Sequence, residues 1–261
     1  MRKYGFKIFS TNLLTAPKLI KDCADYVKKQ DDMFLELMVV ASSSEKDLYE
    51  IKRQVGEAEV RIHAPHHVMG FDAGNKTLEK QNREIFAKAQ AAADIFNAKT
   101  IVVHAGCGHS KEHISETARQ FKLFNDKRIV VENLPFMDDA DKRELQCGTA
   151  DEIKYIQDAC GCGFCFDFSH AVCAAATLQI EVEKQLQSFY DLHPNVYHLC
   201  DGNIAENKDS HSHFGEGNYP LKHFLNDFTD EHAYITMETG HGVPQNKDLW
   251  VDDYHYLKAL L

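Results

Sequence analysis

The feature that most constrains this chain is a regular alternation of short strand-like runs and longer helix-like runs. Eight runs rich in β-branched and aromatic residues lie at 4–9, 33–38, 60–64, 100–105, 128–133, 163–168, 196–199 and 234–238. Between and after them come segments with helical spacing or helix-forming composition, at 16–29, 44–55, 76–98, 111–124, 149–159, 178–190, 220–228 and 248–260. Thr149 and Glu152 have the spacing of a helix capping box. This alternation predicts parallel strands joined by helical crossovers.

Eight strand–helix units in 261 residues predict a closed (β/α)8 barrel, the TIM barrel, rather than an open sheet. The main alternative is a doubly wound sheet, which a glycine-rich phosphate loop after the first strand would favour. Ser10-Thr11-Asn12 follows that strand instead. The units do not repeat in sequence, and no low-complexity linker divides them. We therefore predict one TIM-barrel domain over residues 1–261.

The composition narrows the class of protein. A hydrophobic content of 44% and a charged content of 26% match ordinary soluble proteins. The net charge of −11 argues against non-specific nucleic-acid binding, although bound metal ions can invert the local field. No apolar run approaches the ~20 residues of a membrane span, and Lys7 interrupts the N-terminal run. We therefore expect a cytoplasmic protein with no membrane partner.

The eight cysteines are few for a chain of this length. Cys160, Cys162 and Cys165 are bunched and would suit a soft metal site. Cys165 falls inside a strand-like run, however, and no second cluster has zinc-finger spacing. We predict packed, reduced thiols.

Residue types that bind metals stand at the carboxyl ends of six successive strand candidates or in the loops that follow them. In a barrel these ends surround one mouth, where barrel enzymes place their sites. Five imidazoles and four carboxylates suit zinc, manganese or iron(II). One such residue alone is usually structural, but four buried carboxylates at one mouth would repel each other without cations. The nine candidate ligands are His63, His104, Glu132, Asp167, His170, His198, Asp209, His211 and Glu238.

Two pairs among these ligands are close in sequence. Asp209 and His211 are two residues apart, and in an extended segment both side chains project to one side and can bind one ion. Asp167 and His170 span a strand end and the turn after it, a spacing that suits two adjacent ions.

The segments around these residues resemble the endonuclease IV family of the xylose-isomerase-like barrel superfamily, from about residue 60 to residue 240. The most specific segment is Asp-x-His-x-x-x-Gly-Glu-Gly at 209–217. The resemblance implies three divalent ions, most typically Zn²⁺, with Mn²⁺ or Fe²⁺ as alternatives. It assigns the ligands to three groups: His63 and His104; Asp167, His198 and Glu238, with Glu132 bridging to the first group; and His170, Asp209 and His211.

The resemblance also implies a hydrolytic activity, that of an AP-site DNA endonuclease in DNA repair. Water activated by the ions would attack phosphorus in line, and the ions would stabilise the leaving oxygen. Glu132, Glu238 and Asp167 would be the catalytic carboxylates, and abasic duplex DNA or another phosphodiester the substrate. Further substrate-binding candidates are Asn133, which would meet the phosphate or orient Glu132, together with His213, Met69 and Phe71. Met69 or Phe71 would wedge into a base stack or cover the mouth.

Some features depart from this family. The loop at 40–44 has no basic or aromatic side chain, the chain has seven Arg residues, and Asp138, Asp139 and Asp141 make another segment acidic. The alternative function is a single-metal sugar isomerase or epimerase of the same superfamily. The resemblance implies that such an enzyme needs mainly Glu132, Asp167, His198 and Glu238, usually with His170 near a small sugar substrate. A non-enzymatic metal-binding scaffold is a more distant alternative.

Further histidines are predicted close to the mouth, either behind the ligands or facing solvent. They are His66, His67, His109, His113, His213 and His241.

Overall fold

A computed structural model describes residues 1–138, 140, 142–240, 242 and 245–261. Its centre is a closed barrel of eight parallel strands in chain order, in which the last strand pairs with the first. The strands are β1 Lys3–Phe9, β2 Met33–Met38, β3 Val60–His63, β4 Ile101–His104, β5 Ile129–Glu132, β6 Gly163–Asp167, β7 Val196–Leu199 and β8 Tyr234–Met237. The predicted (β/α)8 TIM barrel is confirmed.

Helices surround the barrel and bury their apolar faces against it. They are α1 Asn12–Thr15, α2 Leu19–Val27, α3 Glu45–Val55, α4 Glu79–Phe96, α5 Lys111–Phe124, α6 Ala150–Cys160, α7 Phe168–Leu178, α8 Val182–Tyr190, α9 Leu221–Asp227 and α10 Asp248–Leu260. Short 3-10 turns occur at His67–Met69 and Lys76–Leu78. None of the described helices combines the length and the apolar character that crossing a bilayer requires.

The helix predicted at 178–190 is wrong in its boundaries. The structure has two helices there, α7 and α8, and α7 begins directly after β6. Helix α7 is buried along its first eight residues, so it lacks the one-sided apolar pattern from which helices are recognised. The Asp167 side chain caps α7 by accepting the backbone N–H of His170 at 2.8 Å. His170 therefore lies in the first turn of a helix, not in the predicted turn.

The predicted capping box at Thr149 is half formed. The Thr149 hydroxyl accepts the backbone N–H of Glu152 at 3.4 Å, so the first half is present. The Glu152 carboxylate instead accepts the backbone N–H of Cys147 at 2.6 Å and contacts His109. A complete box, not predicted, begins α3 at Ser44.

Strand register determines which side chains become neighbours around the barrel. Lys7 of β1 pairs with Glu36 of β2, His104 with Glu132, and Asp167 with His198. All eight cysteines are free, as expected, and Cys165 is buried in β6. The barrel thus brings charged and imidazole side chains into one ring near its carboxyl end, which we call the barrel mouth.

Candidate metal centre

The predicted ligands converge at the barrel mouth, beneath a cavity of about 450 Å³. His104, His170, Asp209, His211 and Glu238 form part of the cavity wall. The remaining predicted ligands lie below them and are buried. The nine side chains divide into three contact groups.

The first is the His63 group, formed by His63, His104 and Glu132. The Nε2 atoms of His63 and His104 lie 3.2 and 3.1 Å from Glu132 Oε2. His63 Nδ1 donates to the carbonyl of Ala64 at 2.8 Å, which leaves Nε2 as the lone-pair nitrogen. Both His63 Nε2 and Glu132 Oε2 are buried and have no hydrogen-bond partner among the described residues. These unpaired donor atoms fit a bound cation.

The second is the His198 group, in which the His198 ring contacts Glu132 and Glu238. His198 Nδ1 lies 3.1 Å from Glu132 Oε1 and 2.7 Å from Glu238 Oε1. Asp167 is buried next to this pair, paired in register with His198. Glu132 therefore turns one oxygen to the His63 group and the other to the His198 group, which is the geometry of a bridging carboxylate.

The third is the Asp209 group, formed by His170, Asp209 and His211. Asp209 Oδ2 lies 3.2 Å from His170 Nε2 and 2.8 Å from His211 Nε2. Each imidazole donates its Nδ1–H to a carbonyl, that of Asn133 at 2.8 Å for His170 and that of Glu238 at 2.6 Å for His211. Both Nε2 atoms therefore point to one carboxylate oxygen.

The expectation of an extended segment at 209–211 is wrong, because His211 has a φ of +44°. The left-handed backbone turns the imidazole back toward Asp209, so the two side chains still meet. The Ser169 hydroxyl fixes the other Asp209 oxygen by donating to it at 2.7 Å.

The glycines of the 209–217 segment shape the loop that carries this group. The Asp201 carboxylate accepts backbone N–H groups of Gly215 at 2.9 Å and Gly217 at 3.1 Å. A Cβ on Gly217 would lie 2.3 Å from the carbonyl oxygen of Gly202, and Gly215 has a φ of +89°. Both positions therefore require glycine.

The predicted substrate-binding residues do not reach the cavity wall in the described part of the chain. The Asn133 amide both donates to and accepts from the backbone of Asp167, at 2.8 and 2.7 Å, and so joins β5 to β6. His213 Nδ1 instead contacts Asp253 of α10 at 2.7 Å. Phe71 is 1% exposed and packs against Phe124 in the core. Met69 belongs to a loop whose exposed Val68 lines the cavity instead.

Two charged residues of the site, Lys7 and Glu36, are absent from the sequence prediction. The Lys7 ammonium contacts Glu238 Oε1 and lies 3.9 Å from Glu36 Oε1. Glu36 Oε2 lies 3.0 Å from His198 Nε2 and accepts the Thr236 hydroxyl at 2.8 Å. Each is a lone charged residue in an otherwise apolar stretch of strand, and that signal was available in the sequence.

The electrostatics follow from burial and from these contacts. Burial raises the pKa of Asp167 to about 7 and lowers the pKa of His104 to about 4. Burial also lowers the pKa of His170, but the Asp167 and Asp209 carboxylates outweigh it and raise that pKa to about 10. Burial disfavours ionised Glu132, yet His198 and His104 hold its pKa well below the ordinary range.

Lys7 keeps its charge inside the barrel. Burial alone would lower the pKa of Lys7, but Glu238 and Glu36 outweigh burial and raise it. Lys7 in turn helps to hold the pKa of Glu238 well below its ordinary value, against the effect of burial. Glu238 thus stays ionised, which is the form that binds cations.

Two thiols border the ligand groups. The first group of atoms within 4.8 Å of one another takes one donor atom each from Cys165, Glu132 and His198. The second takes one donor atom each from Cys200, Asp209 and His211. Burial raises the pKa of the Cys200 thiol to about 12. Both sulfurs are therefore protonated neighbours of the predicted ligands.

Other predicted mouth residues have varied positions. His66 and His67 line the cavity, whereas His109 contacts Glu152 at 2.7 Å and stacks on Phe136. His113 packs beside Gly108. The three remaining residues, Asp139, Asp141 and His241, lie outside the described part of the chain.

A closed parallel barrel with clustered imidazole and carboxylate side chains at its mouth defines a (β/α)8 protein with candidate metal-binding groups. Residues 24–260 match the family described as xylose isomerase-like TIM barrel, and the chain belongs to this family. No curated protein matches it.

Solved structures similar to this chain carry names that imply different activities. A D-tagatose 3-epimerase-like protein is 18% identical with a TM-score of 0.70, covering 98% of this chain and 96% of that one. Endonuclease IV from Thermus thermophilus is 17% identical with a TM-score of 0.67, covering 99% and 98%. A putative xylose isomerase from Rhodospirillum rubrum is 10% identical with a TM-score of 0.71, covering 100% and 98%. These likenesses establish the fold, and they include the endonuclease IV that the sequence motifs resemble.

Proposed function

We propose that this chain is a phosphodiester hydrolase that uses three divalent ions, most typically Zn²⁺. The observation that supports this most is the position of Glu132 between two ligand groups, with the Asp209 group beside them. Glu132 Oε2 faces His63 and His104, and Glu132 Oε1 faces His198. A single-ion isomerase has no use for His63, His104, Asp209 and His211 as ligands.

The charge balance supports an anionic substrate. The site has five carboxylates, from Glu36, Glu132, Asp167, Asp209 and Glu238, and one buried ammonium, from Lys7. Five negative charges, one positive charge and three divalent ions give −5 + 1 + 6 = +2.

The chain's own residues would hold and orient the reacting groups. Ions bound here would supply Lewis-acid polarisation of the phosphate and activation of a water molecule. Glu132 and Glu238 would be ligand carboxylates in the His198 group, with Asp167 beside them. Lys7 lines the cavity next to Glu238, so its remaining N–H donors would meet a phosphate oxygen.

The proposed reaction, phosphodiester hydrolysis, leaves two candidate substrates. Abasic duplex DNA is the substrate that the family resemblance suggests, and a small phosphodiester is the alternative. The cavity wall includes apolar Phe9 and Trp250 and acidic Asp138, which suits a compact substrate better than a long polyanion. Duplex DNA would therefore be held mainly at the scissile phosphate.

A sugar isomerase or epimerase is the second candidate function. A cavity of about 450 Å³ is the size of a small-molecule site, and Glu132, His198 and Glu238 meet at its base. One ion at this point, with Asp167 as a further ligand, would suffice for such an enzyme.

The activity test uses metal-replete protein on abasic duplex DNA, small phosphodiesters and a panel of ketoses. We expect phosphodiester cleavage that a chelator abolishes and that Glu132→Gln abolishes, because an amide lacks the charge and the two-sided donation of a carboxylate. Glu57→Gln is the matched control, since Glu57 is exposed outside the barrel. An epimerised ketose with no phosphodiester cleaved would replace this proposal by the second candidate.

The metal content separates the two candidates independently. We expect elemental analysis to find three ions per chain and His211→Ala to lose one of them, because His211 serves only the Asp209 group. Saturation at one ion per chain, unchanged in His211→Ala, would support the isomerase.

A further inference from the structure

A second set of imidazoles lies at the outer side of the mouth, in the loop after β3. The ring centroid of His66 lies 5.0 Å from that of His104 and 5.4 Å from that of His67, and the His67 and His104 centroids are 6.4 Å apart. One nitrogen from each ring lies within 4.8 Å of the other two. We call these three residues the outer histidine cluster. His66 and His67 belong to none of the three ligand groups described above.

One ring nitrogen of each histidine in this cluster has no hydrogen-bond partner among the described residues. The Nδ1 atoms of His66, His67 and His104 are all buried and have no hydrogen bond to any residue that the structure describes. His67 Nε2 lies 3.0 Å from Asp138 Oδ2, so Nε2 carries the ring proton and Nδ1 carries the lone pair. A carboxylate that fixes the proton of an imidazole in this way is the usual neighbour of a metal-binding histidine.

Three unpaired buried nitrogens in one place are costly without a ligand. A buried polar group without a hydrogen bond destabilises the folded chain. Neutral imidazole is the form that binds metals.

We propose that His66, His67 and His104 form a separate binding site for one divalent transition-metal ion. Three neutral nitrogen ligands suit Zn²⁺ and Co²⁺ and leave a position for water or an anionic group. All three residues line the cavity, so this position is open to whatever enters it. The site goes beyond the proposed function, because it involves two residues that the three-ion centre does not use.

His104 links this site to the His63 group. Its Nε2 lies 3.1 Å from Glu132 Oε2, so Nδ1 is the nitrogen left for the outer histidine cluster. Occupancy of both sites at once requires His104 to lose its ring proton. The outer site therefore fills at higher Zn²⁺ concentration than the inner groups.

The test is a Zn²⁺ titration of the complete chain, followed by NMR of the histidine ring nitrogens. We expect the Nδ1 resonances of His66 and His67 to shift as the last class of Zn²⁺ binds. We also expect His66→Gln/His67→Gln to weaken that class by about tenfold or more, the scale on which loss even of ligand-supporting groups is felt. His255→Gln, on the exposed face of α10, should leave every class unchanged.

The result that overturns the proposal is also specific. If the His66 and His67 nitrogens stay unshifted at saturating Zn²⁺ while those of other mouth histidines move, the outer site does not exist. His211→Ala distinguishes this outcome from failure of the three-ion centre, because it removes a ligand of the Asp209 group alone. The His66 and His67 shifts persist in that variant if the outer site is independent.

Discussion

At the scale of single residues, the orientation of His198 depends on one buried carboxylate. Glu36 Oε2 faces His198 Nε2 at 3.0 Å, and Nδ1 of the same ring faces Glu132 and Glu238. A proton fixed on Nε2 leaves the Nδ1 lone pair directed to the candidate metal position. Glu36 is therefore a positioning residue that acts through His198.

We predict that Glu36→Gln lowers metal affinity about tenfold while the fold is retained. The amide oxygen can still accept the imidazole proton, but it lacks the charge that makes His198 a strong donor to a metal. Competition with a chelator of known affinity measures the change, with Glu57→Gln as the control. Unchanged affinity in Glu36→Gln would mean that Thr236 and the barrel packing orient His198 without the carboxylate.

The sequence predicts the residues at strand ends well and those inside the strands poorly. His63, Glu132 and His198 were found because the carboxyl ends of parallel strands meet at one mouth. Glu36 and Lys7 are absent from the prediction because it considers only strand ends and the loops after them, although each is a lone charge within an apolar stretch of strand. Phe71 was expected at the mouth, but the turn at His67–Met69 carries the chain back to the core before it.

At the scale of elements, one contact joins the loop after β4 to the start of α6. His109 Nδ1 lies 2.7 Å from Glu152 Oε1, and the His109 ring stacks on Phe136 with centroids 3.8 Å apart. Glu152 also accepts the backbone N–H of Cys147. Burial opposes protonation of His109, but Glu152 outweighs it and raises the pKa of His109. The charged imidazole thus helps to hold the loops beside the cavity.

We predict that His109→Ala lowers the free energy of unfolding by about 1–3 kcal/mol, the value of a hydrogen bond to a charged group. The pKa of His109 is raised in the folded state. The stabilisation that results is complete below the unfolded-state pKa of 6.5 and is lost as the pH rises through the folded-state pKa. The difference from the unsubstituted protein should therefore be larger at pH 6 than at pH 9. Urea unfolding at both pH values measures it, and His255→Ala is the control. An equal difference at both values would assign the effect to stacking alone.

Two helices show where hydrophobic periodicity fails to predict a helix. The helical spacing of apolar residues predicts helix α2 but not α7, because the first eight residues of α7 are all buried. Burial on all sides removes the contrast on which the prediction relies.

At the scale of the whole molecule, the site affects stability differently with and without bound ions. Without ions, Lys7 and His170 are cations that balance the buried carboxylates. The pKa of Asp167 is raised from 3.8 to about 7, and that of His170 from 6.5 to about 10. Both contributions are complete at low pH. The Asp167 contribution is lost as the pH rises to about 7, and the His170 contribution as it rises through about 10.

We predict that the metal-free protein is less stable at pH 8.5 than at pH 6, and that Zn²⁺ raises the melting temperature more at pH 8.5. Ligands bind metal in their deprotonated forms, so the rise in pH that weakens the empty site strengthens the filled one. Thermal unfolding with a chelator and with Zn²⁺, at both pH values, measures the two shifts. A Zn²⁺ effect of the same size at both values would show that these side chains are not ligands.

The thiols of Cys165 and Cys200 lie close to Glu132 and to Asp209, respectively. They would affect which metal ion the site binds in a cell. A hard or borderline ion is satisfied by the imidazoles and carboxylates and leaves both thiols protonated. A soft ion such as Cu(I) displaces a thiol proton and gains a sulfur ligand that the harder ions do not use. The two thiols in the barrel wall would therefore allow soft metal ions to bind and inactivate the site. The ion that such a site holds in a cell would depend on what the cell supplies as well as on affinity.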